Sequence, residues 1–285
     1  MAYIGDEVPH YGNPPYQHIA RAEEEDADRI GIITAINAAQ GPINLYVRPR
    51  ALDFTSYTLQ HMCNSAIATI ESGECVVAVV KAPYKKDELI QNVDDVRVDY
   101  GFHIGENLDW KPPAIGEPVV VGVLTIFLKK ESFLANRNLW TSTKAPPSQG
   151  GRPKYEIDLD QNEDLVDTSR AVEIFLLEKK GYKHYDSTEK PHHRIMMVIH
   201  PAYQNDKENY AMQLLEWVTK DFPWDTRFDK CGGIAVTESL ALVDTYKSAG
   251  FQELRSVVVP VGKEGKGAVK TYVLLYEPPS STTST

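Results

Sequence analysis

The residue types best suited to chemistry gather in the last third of the chain, around the stretch HPAYQNDKENYAMQLLEW at positions 200–217. It reads as a strand end, a short polar loop and the start of a helix. Free N–H groups at a helix N-terminus, together with the helix dipole, attract an anion such as a phosphate. Glycine favours such a cradle because no Cβ blocks close approach, yet the stretch contains none. Lys207 offers a phosphate contact, and Asn209 tolerates the left-handed conformation that glycine adopts freely. Asp206 and Glu208 act the other way: either carboxylate can cap the N–H groups itself, and each repels a pyrophosphate at short range. The alternative is an ordinary self-capped helix that turns Tyr210, Leu214 and Trp217 toward a core.

Proton transfer near neutral pH suits histidine. His200 stands at the exit of the strand, and His192 and His193 stand before its start; a histidine beside a proline also serves plain structural ends. Glu238 is a carboxylate alternative. His184, His192, His193 and His200 fit no compact ligand spacing and have no cysteine nearby, so no metal is expected. Cys63, Cys75 and Cys231 are odd in number and widely spaced, which reads as buried free thiols rather than a disulfide framework. Tyr100, Phe102, Trp110 and Trp140 would line an apolar pocket for a small uncharged metabolite, or else pack an enlarged surface.

A sheet has to aim its strand ends at one place for these groups to meet. The last third supplies much of it: strand 193–200, helix 207–222, strand 231–238, helix 239–251, strand 252–261, a glycine-rich turn, and strand 268–277, the last two strands forming an antiparallel hairpin. Upstream, 17–22 reads as a short strand and 23–39 as a helix, with Ile30, Ile33 and Ile36 or Asn37 at helical spacing. Glu23 at its N-cap and Asp26 place negative charge where the dipole favours it. Residues 52–71 read as a second helix, and ECVVAVVKA (74–82) and EPVVVGVLTIFL (117–128) as buried strands. Two insertions interrupt this plan: a polar, proline-containing connection at 83–118 and a long region at 129–193 with a helix near 163–182. Residues 1–17 read as a surface arm and 278–285 as a disordered tail around a single domain, 18–277. Strands alternating with helices argue for an α/β or α+β domain with a mixed sheet.

Composition excludes several partners. A formal net charge of -10 with no basic stripe disfavours nucleic-acid binding. Apolar stretches fall far short of the ~20 residues of a membrane helix, and the N-terminus lacks a basic and apolar leader. A cytoplasmic protein without membrane attachment, acting as a monomer or homodimer on a small molecule, is expected.

The layout resembles the GNAT superfamily of acyl-CoA-dependent N-acetyltransferases. ARAEEEDADRI resembles its RxAxxxDA opening, EPVVVGVLTIFL its central strand with a Val-Gly pair, and MVIHPAYQ its LxVxPxYQ fourth-strand end. TESLALVDTYKSAGF resembles its ASxxGxxLYxxxGF motif, with Ser239, Tyr246, Gly250 and Phe251 in register. The resemblance implies a three-layer α/β sandwich with a mostly antiparallel central sheet flanked by helices. It implies an acyl-CoA held where the fourth and fifth strands splay, by the backbone at Met197, Val198 and Ile199. On the family's [Q/R]xxGx[G/A] loop fall Asp206, Lys207, Glu208, Asn209, Tyr210 and Ala211; only Ala211 matches a defining position. Tyr246 matches the tyrosine that protonates the departing thiolate, and Ser239 would line the cofactor side. No general base carries over, which leaves His200 and Glu238 as candidates.

Three functions follow as expectations. The first is transfer of an acetyl or other acyl group from acyl-CoA to the amine of a small acceptor. The second is a GNAT-fold enzyme that does not use acyl-CoA and catalyses a proton-transfer reaction such as decarboxylation or cyclisation. The third is a non-catalytic metabolite binder.

Overall fold

A computed structural model describes residues 19–43, 56–93, 96–128, 154–155, 192–224, 232–261 and 267–279. The expected N-terminal arm, the tail from 280 onward, the helix near 163–182, the glycine-rich turn and Cys231 lie outside the described residues.

Strand β1 (Ile19–Arg21) leads through a 3-10 turn (Glu24–Asp26) into α1 (Ala27–Ala38). Asp26 accepts the Glu23 N–H at 3.1 Å, so the acidic entry reads as it was expected to. Helix α2 (Ser56–Glu71), β2 (Cys75–Pro83), β3 (Ile90–Val93), β4 (Val96–Asp99), α3 (Tyr100–Asn107) and β5 (Pro118–Phe127) follow. The last third gives β6 (His193–Ile199), α4 (Tyr210–Lys220), β7 (Gly233–Thr237), α5 (Leu240–Ser248), β8 (Gln252–Val261) and β9 (Gly267–Tyr276).

Seven strands form one sheet in the order β1-β2-β5-β6-β7-β9-β8, antiparallel throughout except at β6–β7. On one face α1 and α2 cover Val77, Val79, Val123 and Phe127. On the other, α4 and α5 cover Ala78, Val80, Leu124 and Ile126. Burial on both faces explains why β2 and β5 read as almost unbroken apolar runs rather than alternating ones. Among the described residues the sheet edges are β1, three residues long, and β8, which carries Pro260 and a register shift between Glu253 and Arg255.

The connection expected at 83–118 is more than a polar loop. It folds as the β3–β4 hairpin and α3, and buries Leu89, Tyr100, Ile104 and Leu108 against Ile32 and Ile36 of α1 and Leu59 of α2. Lys154 and Tyr155 dock on the same helices. The Tyr155 hydroxyl donates to Asp28 Oδ2 at 2.9 Å, Lys154 Nζ stands 2.5 Å from that oxygen, and Tyr155 exchanges backbone bonds with the Asn64 amide at 2.8 and 3.1 Å.

Close approach of α1 and α2 depends on Gly31. A Cβ there would lie 2.6 Å from Cys63 Sγ and 2.7 Å from the Cys63 backbone nitrogen. Since backbone cannot swing aside as a side chain can, Gly31→Val should force the helices apart and cost about 1–3 kcal/mol. Urea unfolding checks this, and a midpoint equal to the parent's would show that the contact yields freely.

Candidate functional site

The site is built around the point where β6 and β7 part. With the β3–β4 hairpin set aside, these are the fourth and fifth strands of the main sheet in chain order. They pair in parallel only from His193–Gly233 to Ile195–Ala235. Beyond that, β6 continues as Met196–Ile199 and β7 as Val236–Thr237 without pairing to each other. Their separation is a gap in the sheet.

The two-residue period of a strand decides what faces this gap. The His193 N–H donates to the Gly232 carbonyl at 2.9 Å, on the β7 side, whereas the His200 N–H donates to Val121 of β5 at 2.8 Å. Odd-numbered residues of β6 therefore direct their N–H and C=O groups at β7. Met197 and Ile199 present such groups to the gap, while the backbone of Val198 pairs with β5. The Ile199 carbonyl is already taken, by Asn37 Nδ2 at 3.0 Å and Gln204 Nε2 at 3.1 Å. What remains for a ligand is the Met197 N–H and C=O and the Ile199 N–H. Their dipoles are held in place by β5 before anything binds.

Tyr246 enters from α5, on the face of the sheet that Ile195, Met197 and Ile199 share. Its ring packs edge to face on Phe251, 5.0 Å between centroids, and its hydroxyl makes no hydrogen bond to a described residue. Burial pushes the phenol well above its usual range, with Arg194 pulling weakly the other way. It is protonated at neutral pH, as an ordinary tyrosine is, and the shift makes it a weaker proton donor. Ser239, expected on the cofactor side, caps the same helix by accepting the Leu242 N–H at 3.4 Å. Glu238, at the exit of β7, accepts the Ile43 N–H at 3.3 Å.

At the start of α4, Asn209 takes the left-handed conformation (φ 44°, ψ 64°) and accepts the Met212 N–H at 3.2 Å. The N–H groups of Tyr210 and Ala211 have no acceptor among the described residues. Tyr210 itself is buried in the core, and Lys207 and Glu208 are exposed. The opposing charge of Asp206 is met from elsewhere. Lys85, in the first insertion, places Nζ 2.5 Å from Asp206 Oδ1 and 3.1 Å from the Ala202 carbonyl, over the Tyr203 ring at 4.4 Å. Sequence reading missed this partner because it lies 121 residues away.

It missed a buried polar cluster as well. Arg29 and Glu88, 2% and 0% exposed at their side chains, form an ion pair, and the Tyr203 hydroxyl bonds Glu88 Oε2. Arg29 Nε also donates to the Val120 carbonyl at 2.9 Å. His200 completes the group, with Nε2 3.9 Å from Glu88 Oε1 and Nδ1 accepting the Ala202 N–H at 3.2 Å. It is fully buried, with its ring nitrogens directed at Glu88 and the Ala202 N–H. Only the PAYQ pattern pointed at Tyr203. Glu88 sat unremarked among the charges of KKDE.

Of the four aromatic residues expected to line a pocket or pack the insertions, two are described with their side chains. Tyr100 belongs to the second core, and Trp110 carries the Arg29 guanidinium 5.4 Å above its ring. The Phe102 side chain and Trp140 lie outside the described residues. A pocket of about 60 Å³ opens on the α1/α2 face, lined by Thr34, Met62, Val123, Thr125, Met196 and Val198 among others. Among the described residues, no three His, Cys, Asp or Glu side chains converge as metal ligands, and no helix is long and apolar enough to cross a membrane.

Burial depresses the pKa of His200 well below 6.5, helped by the nearby positive charges of Arg29 and Lys85. An unfolded chain binds this proton below pH 6.5 and the folded one does not, so stability falls as pH falls through that value. His200→Asn keeps an acceptor for the Ala202 N–H and removes the titration. Its melting temperature should drop less than the parent's on going from neutral pH to about pH 5. Parallel losses in the two proteins would assign the acid sensitivity to other groups, His193 first among them.

No described protein family matches the chain, and no curated protein matches it. Among solved structures, it is similar to yncA, a proposed acetyltransferase from Salmonella typhimurium, determined with its cofactor acetyl-CoA. The two share 13% identity over 93% of this chain and 95% of that one, with a TM-score of 0.42. So loose an overlap adds no weight of its own. Strand order, the parallel β6–β7 contact and helices on both faces give the chain a GNAT-like fold, a mixed α+β sandwich with a mostly antiparallel central sheet.

Proposed function

We propose that the protein is an acyltransferase that moves an acyl group, acetyl in the simplest case, from an acyl-CoA thioester to the amine of a small-molecule acceptor. The observation that carries this reading is the end of β6–β7 pairing at Ile195, on the same core face as a tyrosine whose hydroxyl has no hydrogen-bond partner among the described residues. The residues present fit such a donor. A pantetheine arm forms amide hydrogen bonds of the kind that the Met197 N–H and C=O offer. A pyrophosphate suits the Tyr210 and Ala211 N–H groups, with Lys207 nearby and Asp206 neutralised by Lys85.

When bound, the thioester supplies an activated carbonyl. The strand amides hold its oxygen where negative charge develops, a preorganised stabilisation that needs no reorganisation at the moment of reaction. The acceptor nitrogen forms the new C–N bond, the C–S bond breaks, and the Tyr246 hydroxyl gives its proton to the departing sulfur. The nitrogen loses its own proton to solvent or to Glu238, the described carboxylate at the β7 exit.

One observation favours a second reading, in which the fold runs proton-transfer chemistry on a metabolite without CoA. Asn209 caps α4 from within, and Glu208 stands exposed beside its N-terminus. Calorimetry separates the two. Acetyl-CoA should bind with measurable heat and bind several-fold more weakly to Lys207→Glu. No heat and no thermal shift at millimolar CoA would sink the acyltransferase reading. With a panel of amines and thiol release as readout, Tyr246→Phe should lower turnover by about 10²–10⁴-fold while the melting temperature stays close to the parent's. Unchanged turnover would remove Tyr246 from the mechanism.

A further inference from the structure

The pocket on the α1/α2 face points to the kind of acceptor. Its walls include Met196 and Val198, the β6 residues that share the unpaired segment with Met197. Side chains alternate across a strand, so these two lie on the face opposite Met197 and Tyr246. The gap thus has two sides: a proton donor on the α4/α5 side and a pocket on the α1/α2 side. The start of α4, where the donor's pyrophosphate is proposed to sit, and Tyr246 both belong to the α4/α5 side, so the donor takes that side and the pocket is left to the acceptor.

Three properties of the pocket define what fits. No charged side chain lines it. Of its four hydroxyls, Thr34 donates to the Ile30 carbonyl and Thr69 to the Ser65 carbonyl, each at 2.8 Å, so these two protons are spent within their own helices, and Ser65 and Thr125 are the remaining polar groups of the lining. Apolar walls dominate, with Met62 and Met196 among them able to adjust to an irregular shape. The volume of about 60 Å³ is well below the roughly 150 Å³ of a cavity that takes benzene. An aromatic ring is therefore too large and a few aliphatic carbons suffice. A charged tail would lose its hydration with nothing to replace it.

We infer that the acceptor is a primary amine carrying a short, uncharged aliphatic chain, with the chain in this pocket and the nitrogen at the β6–β7 gap. This rests on the acyltransferase reading for the chemistry at the gap, but the pocket itself can be tested without CoA. The full chain, labelled at the methionine methyls, is titrated with n-alkylamines from ethyl to hexyl, isobutylamine, benzylamine and putrescine, with Met62 and Met196 as reporters. Affinity should rise by about fourfold per added methylene until the pocket is full and then level off. Isobutylamine should bind at least tenfold more tightly than putrescine, which carries a second charge, or benzylamine.

Ala66→Leu and Thr69→Leu each fill the pocket and should abolish the response; Thr69 is half-buried and its replacement tolerates the fold if Ala66→Leu does not. No shift with any amine, equal response to putrescine, or shifts that survive in the folded filled variant would overturn the inference. So would saturation of both reporters by isobutyryl-CoA but not by isobutylamine, which would give the pocket to the donor. Loss of CoA binding with the amine series intact would overturn the acyltransferase reading and leave the pocket's ligand class standing.

Discussion

A buried charge must find its opposite, and here that requirement joins three distant parts of the chain. Arg29 on α1 and Glu88 in the first insertion are both out of reach of water, so neither survives there without the other. Arg29 also holds the Val120 carbonyl of β5, and Glu88 holds Tyr203 just past β6. The pair therefore fixes where the insertion lies, and with it Lys85. Lys85 in turn meets Asp206 ahead of α4. The electrostatic character of the β6–α4 junction is set by residues that neighbour it only in space.

The sheet plan was legible in the sequence because most of its strands lie between covered faces. VVVGVLTIF carries one polar residue, Thr125, in nine, the pattern of a strand buried on both sides. The bounds of β8 coincide with those expected, since Gly250 and the glycine-rich sequence after Val261 punctuate both ends. The hairpin in the first insertion stayed hidden: its strands are four residues each, too short for alternation to show, and IQNV and VRVD are half polar. Of the two readings of Tyr100, pocket lining or packing of the enlarged region, its burial with Ile32, Ile36 and Leu59 matches the packing.

The candidate site divides along the same line. Met197, Ile199 and Tyr246 could be named as candidates from the sequence because strand backbone and a helix position are what motif spacing preserves. Lys85, Glu88 and Arg29 were not, because an ion pair between residues far apart in sequence leaves no local pattern. The loop itself shows how this matters. Judged by local composition, QNDKEN opposes an anion with two carboxylates against one lysine. In the folded chain Lys85 balances the count, and what local sequence presents as repulsion becomes a nearly neutral rim around two N–H groups that have no acceptor among the described residues.

The two edges of the sheet have a consequence for how the protein behaves when crowded. A long flat edge invites a second molecule to add its own strand. Here one described edge, β1, offers only three residues. The other, β8, is interrupted by a bulge near Arg255 and by Pro260, which has no N–H to give. Neither edge presents an unbroken ladder for a neighbour to extend, so concentrated solutions of the folded chain are guarded against strand-by-strand association by backbone shape as well as by net charge.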